Sequence, residues 1–272
     1  MTPHFPPPKS PSACSRAFTL IELLVVIAVI AVLISILLPA LAQARLTSRA
    51  TVCGARIAQL NTAITLYLND YDNTLPQRRG PLPQGGESVI GALFGGQKGQ
   101  LPFYGINEIG ARGRPLNAYV SSAPLPPPDP ANPSEENEEF PFPAFSSPID
   151  RGANNTGLPI PGLERTTSFY TFIGSSYTMN DHDLRGDEFA TLVPITERGV
   201  GGKMPYVIQP SNTWVIGTHT IYNYQGGGNR ESYWFRPGLC EANLGYLDGH
   251  TRTRVRVPVG IVNETKDYVF GP

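Results

Sequence analysis

From Phe18 to Leu38 the chain is apolar apart from Thr19, Ser35 and one charged side chain, Glu22. At about 1.5 Å of rise per residue, such a run makes a helix roughly 30 Å long, the hydrocarbon thickness of a bilayer. Thirteen Leu, Ile and Val residues lie between Leu23 and Leu38. Each favours insertion by about 0.3–0.6 kcal/mol, so together they outweigh one acid near the end of the span. Beyond Pro39 the spacing changes: Leu46, Cys53, Ile57, Leu60, Ile64, Leu68 and Tyr71 recur mostly three or four apart and form one stripe. Arg45, Arg49 and Arg56 lie off that stripe, on a solvated or phospholipid-facing side. The pattern predicts one helix from about Phe18 to Tyr71, loosened at Pro39 and stopped by Asp72-Asn73 and Pro76, with its second half packed on a sheet.

From Pro76 to about Pro161, Pro and Gly punctuate the chain, and the acidic run Glu135-Glu136-Asn137-Glu138-Glu139 reads as solvated. Short helical or extended pieces fit 89–94 and 116–120; the rest reads as a long surface insertion. The final third predicts strands at 168–173, 175–179, 206–208, 213–216 and 221–224. A hairpin follows, with 244–247 and 250–257 joined by Asp248-Gly249 in a two-residue type I′ turn. Strict alternation would put Thr251, Thr253, Val255 and Val257 on one face and Arg252, Arg254 and Arg256 on the other.

The string Ala17-Phe18-Thr19-Leu20-Ile21-Glu22-Leu23-Leu24-Val25-Val26-Ile27, followed by Pro39, resembles the N-terminal cleavage and methylation segment of bacterial type IV prepilins and type II secretion pseudopilins. The resemblance implies that prepilin peptidase cuts between Ala17 and Phe18 and methylates the new amine, and that Glu22 acts with Phe18 in assembly. Ala17 stands where that family has Gly. A second resemblance, to a pseudopilin-like branch, rests on Cys53, Tyr67 with Asp70, and Asn243 with Asp248-Gly249-His250; Gly238 occupies the place of that branch's His. Both imply an α+β, pilin-like fold: a long N-terminal helix, transmembrane in its first half, packed on a C-terminal antiparallel sheet, with a long Pro/Gly-rich loop insertion. The expected organisation is a leader at 1–17, a transmembrane helix at 18–38, the soluble half of the helix at 39–75, the insertion at 76–165 and the sheet region of the same globular domain at 166–272.

Two plainer readings compete. Lys9 and Arg16 before the apolar run, with Ala42-Gln43-Ala44 after it, suit a secretory signal and a mature start at Arg45. A plain single-span anchor explains the hydrophobicity but not the Phe-Thr-Leu-Ile-Glu string. Basic residues flank the run about equally on both sides, so a cytoplasmic N-terminus, and with it a periplasmic or extracytoplasmic C-terminal domain, follows from the resemblance alone.

With 272 residues, a net charge of -1 and 16% charged residues, the chain has room for an anchor and one soluble domain, and no basic field to attract nucleic acid. Cys14 falls in the leader. Cys53 and Cys240 remain, either as a disulfide pair in an oxidising compartment or as two buried thiols. No phosphate loop, His-Glu-x-x-His or Gly-x-Ser-x-Gly is present. Gly226-Gly227-Gly228 reads as a turn, and Asp181-His182-Asp183 as a solvated loop in preference to a metal site. Tyr222, Tyr224, Tyr233, Trp234 and Phe235 read as core in preference to a sugar platform, and Asp248 with Gly249 as a structural turn. These readings give a non-enzymatic subunit with no cofactor or metal. The resemblance implies as partners prepilin peptidase, other pilin-like subunits and the inner membrane, and assembly into a pilus or type II secretion pseudopilus. The other class of reading is an exported or membrane-tethered binding module that does not polymerise.

Overall fold

The computed structural model describes residues 19–83, 85–121, 141–186, 192 and 202–272. The expectations placed on Cys14, Ala17, Phe18 and the acidic run 135–139 lie outside these residues. The chain divides into two compact units, 1–45 and 46–272, and helix α1 (Leu20–Asp70) contributes to both. The helix continues through Pro39 and ends, as the sequence predicts, where Asp72 and Asn73 take left-handed φ values of 51° and 58°.

Within the second unit the chain forms β1 (Arg79–Pro81), β2 (Glu87–Val89), α2 (Asn117–Val120), α3 (Phe169–Ile173), β3 (Tyr177–Met179), β4 (Trp214–Thr218), β5 (Glu241–Tyr246) and β6 (Thr251–Arg256). β1 and β2 make a small ribbon, and β3-β4-β5-β6 form an antiparallel sheet in that order. The stripe Ile57, Leu60 and Ile64 is fully buried against this sheet, each side chain contributing about 1.5–3 kcal/mol by leaving water. Two glycines allow the close approach. A Cβ on Gly54 would meet Thr253 Cγ2 at 2.7 Å, and one on Gly245 would meet Ile57 Cγ2 at 2.9 Å.

β5 is buried on both sides. Asn243 and Gly245 address α1, while Ala242, Leu244 and Tyr246 join Trp214, Tyr222, Tyr268 and Phe270 in a second core. Asn180 Nδ2 donates to the carbonyls of Trp214 and Phe270, both at 2.9 Å, and so pins the C-terminal segment over the sheet.

Several sequence expectations are corrected. The expected strand 168–173 is instead α3 (Phe169–Ile173) with its cap: the Ser168 side chain accepts from the Thr171 N–H at one end, and Gly174, at φ 90°, closes the other. Residues 219–222 form a 3-10 turn where 221–224 predicts a strand, because so short an apolar run has no decisive period. Tyr206 and Ile208 are 90% and 75% exposed and belong to no strand. The hairpin turn is wider than two residues. Gly249 N–H donates to Tyr246 O and Tyr246 N–H to His250 O, and of the two turn residues only Gly249 has positive φ, at 92°. β6 does not alternate strictly, because the register shifts between Ala242 and Leu244 and puts Arg254 at φ 58°.

The described part of 76–165 is core as well as surface. Leu93, Phe94, Leu116 and Phe145 are fully buried. The buried Arg114 guanidinium gathers the carbonyls of Ala92, Gly95, Ile106, Ile109 and Ile173. One cation satisfying five carbonyls replaces the ladder that these irregular segments lack.

Candidate functional site

α1 begins at a reciprocal cap. Thr19 donates to Glu22 Oε2 from its backbone N–H at 2.9 Å and from its hydroxyl at 2.8 Å, and Glu22 N–H donates back to Thr19 Oγ1 at 3.2 Å. This is a capping box, which satisfies donors that the first helical turn leaves open. The Thr-x-x-Glu spacing is legible in the sequence, but the sequence reading took Glu22 only as an assembly residue. From Leu20 to Leu41 every large apolar side chain is about half exposed or more, with Leu20 at 83% and Ile36 at 66%. A helix apolar all round and uncovered within its own unit calls for lipid or other helices. It is the one helix among the described residues long and apolar enough to cross a membrane.

The candidate disulfide partners are both buried free thiols in different hydrophobic clusters. Cys53 accepts from the Tyr177 hydroxyl at 3.8 Å, and Cys240 donates to Thr220 O at 3.3 Å. Burial raises the Cys53 pKa and pushes that of Cys240 up to about 12.

At the hairpin, His250 Nδ1 lies 2.5 Å from Asp248 Oδ1, and its ring stacks on Tyr246 at 4.2 Å. Asn243, from the same stretch of sequence, is wholly internal. It donates to Ala50 O at 3.2 Å and accepts from Arg254 N–H at 2.8 Å, joining helix, β5 and the β6 bulge.

The Asp181-His182-Asp183 stretch is not a solvated loop. Asp181 is 6% exposed and Asp183 3%. Asp181 accepts from Gly91 N–H at 2.8 Å and the Tyr222 hydroxyl at 3.1 Å, and pairs with His182 Nδ1 at 3.0 Å. Burial pushes the Asp181 carboxyl up, but the His182 ring and these donors more than offset it and hold it below its ordinary value. Burial also works against a charged His182, and the Asp181 carboxylate outweighs it, so that pKa is raised. Among the described residues, no group of three or more His, Cys, Asp or Glu side chains is placed to hold a metal. Gly226 and Gly227 take φ 66° and 76° in a turn, and Tyr222, Tyr224, Trp234 and Phe235 are buried core residues. Sequence reasoning missed Arg230, Gln225 and His219, which gather around His182; no local motif marks them.

The family model for the prokaryotic N-terminal methylation motif matches residues 12–38. Together with the long apolar helix and the antiparallel sheet, the match supports a type IV prepilin or pseudopilin-like protein with an α+β, pilin-like fold. The motif implies processing by prepilin peptidase, and with the single apolar helix it fits a single-pass inner-membrane protein. Proteins of the type IV pilin-like family are structural subunits rather than enzymes. The match stops before the late Asp248-Gly249-His250 motif. No curated protein matches the chain, and neither does any solved structure.

Proposed function

We propose that the chain is a pilin-like structural subunit. Prepilin peptidase removes residues 1–17, the helix from Phe18 holds the product in the inner membrane with the globular unit on the extracytoplasmic side, and the same helix then packs with those of other subunits in a pilus or secretion pseudopilus. The observation that carries this reading is the uncovered apolar segment from Leu20 to Leu41 with its single acid at the start, inside the stretch matched by the methylation motif.

Glu22 supplies the chemistry. Cleavage creates an amine at Phe18, and a neighbouring subunit's carboxylate offsets that charge far better in a low-dielectric helix bundle than in water. The capping geometry suits this role, because it fixes the carboxylate at the helix start. N-terminal sequencing of the mature protein tests the proposal. A methylated Phe18 is the expected start, and a start at Arg45 or an uncut chain overturns it.

A further inference from the structure

In the second unit a cleft of about 350 Å³ opens between β2, the 91–106 segment, α3 and the 219–230 turns. Its size falls within the range of small-molecule sites. Leu101, Ile106, Phe169, Phe172 and Leu158 supply apolar walls, and one end is polar, with Asp181, His182, His219, Gln225 and Arg230.

The hydrogen bonds at that end form a chain. Asp181 is met by three donors, so its charge is committed to the protein. His182 Nε2 lies 2.7 Å from Gln225 Nε2, and Gln225 Oε1 accepts from Arg230. The Arg230 guanidinium has no carboxylate within ion-pair distance among the described residues, and burial lowers its pKa. A guanidinium presents five N–H donors in a planar fork suited to a carboxylate, so this partly buried one, with an amide oxygen as its side-chain partner, has capacity to spare.

A second, independent observation is His219. Its Nδ1 is buried without a hydrogen-bond partner, and its ring lines the cleft, stacked on Phe169 at 4.2 Å. Buried polar atoms are rarely left unpaired, and an orphan beside a cavity points to a ligand.

We propose that this cleft binds a small monocarboxylic acid with an aromatic or branched apolar body, its carboxylate on Arg230 and His219 and its body between Phe169, Phe172 and Ile106. The charges favour an anion. The Asp181 carboxylate is met by its own three donors, whereas the side-chain partner of Arg230 is the neutral Gln225 amide; a phosphate dianion would find this one cation in a largely apolar site. The site lies wholly within the second unit and does not depend on whether the chain polymerises.

The test uses the full chain in a non-ionic maltoside, with 3-phenylpropanoate as probe and 3-phenylpropanamide as its uncharged isostere, both followed by calorimetry. Saturable binding of the acid at low millimolar concentration or tighter is expected, with at least tenfold weaker binding of the amide. Arg230→Gln should weaken the acid at least tenfold and leave the amide unchanged. Leu158→Trp, which fills the cleft and leaves Arg230 in place, should abolish both. No saturable heat with the acid up to about 10 mM, equal affinity for acid and amide, or unchanged binding in Arg230→Gln overturns the proposal. Should Arg230→Gln not fold, undiminished binding of the acid by Leu158→Trp overturns it.

Discussion

Asn243 provides the sharpest test of how the sheet is held to the helix. Its side chain is fully buried, donates to Ala50 O at 3.2 Å and accepts from Arg254 N–H at 2.8 Å, where Arg254 sits at φ 58°. Asn243→Ala leaves that N–H without its acceptor beside a void. An unsatisfied buried donor costs about 1–3 kcal/mol, and with the uncollapsed space the expected loss is roughly 2–4 kcal/mol. Arg254 also loses the contact that holds it in a conformation unfavourable for a residue with a Cβ. For a unit of this size, about 2–4 °C of Tm accompanies each kcal/mol, so the midpoint should fall by roughly 5–15 °C. Near-UV circular dichroism of the full chain in detergent is the assay, because both tryptophans, Trp214 and Trp234, lie in the 46–272 unit while α1 dominates the far-UV signal. If Asn243 instead belonged to a surface recognition motif with Asp248 and His250, its loss would leave the melt intact. A shift under about 2 °C refutes the structural reasoning.

Glu22→Gln keeps the capping box and removes the charge, whereas Glu22→Ala removes both; membrane insertion should survive in each, and sheared-filament yield should fall in each. Parental yield from Glu22→Gln would show that capping, not charge pairing, is what Glu22 contributes. Alkylation of the folded mature chain, without residues 1–17 and so without Cys14, should be slow at pH 8 at Cys53 and Cys240, since burial raises both thiols, and two thiols should label after denaturation without reductant; the absence of any labelled thiol contradicts the unpaired state. His219 is held neutral by burial, with the nearby Arg230 and His182 adding to the effect, and its pKa falls to about 3. The unfolded chain takes up that proton below about pH 6.5 and the folded one does not, so stability is lost as pH falls from there toward 3. His219→Phe, which retains the stacking on Phe169, should therefore show a smaller drop in Tm between pH 7 and 4.5 than the parent, and an equal drop would show that His219 is not the source of the acid sensitivity.

The sequence alone determined the features that depend on local pattern. The apolar run and its lone acid, the 3.6-residue stripe through Ile57, Leu60 and Ile64, the stop at Asp72-Asn73 and the last two strands all follow from spacing and turn chemistry within a window of a few residues. The capping box at Thr19 and Glu22 was legible on the same terms.

Tertiary structure decided what depends on contacts distant in the chain. Whether 168–173 and 221–224 became strand or helix turned on a cap at Ser168 and on packing, since short aromatic runs fit either period. Cys53 and Cys240 form an even pair on paper, but each thiol was committed to its own core. The Pro- and Gly-rich stretch joined the core because one buried Arg114 satisfies carbonyls drawn from 92 to 173. The polar end of the cleft joins His182, His219, Gln225 and Arg230 across nearly fifty residues, and no periodicity records such a meeting: only the fold sets which side chains lose water together, and with it their charge state and their unfilled hydrogen bonds.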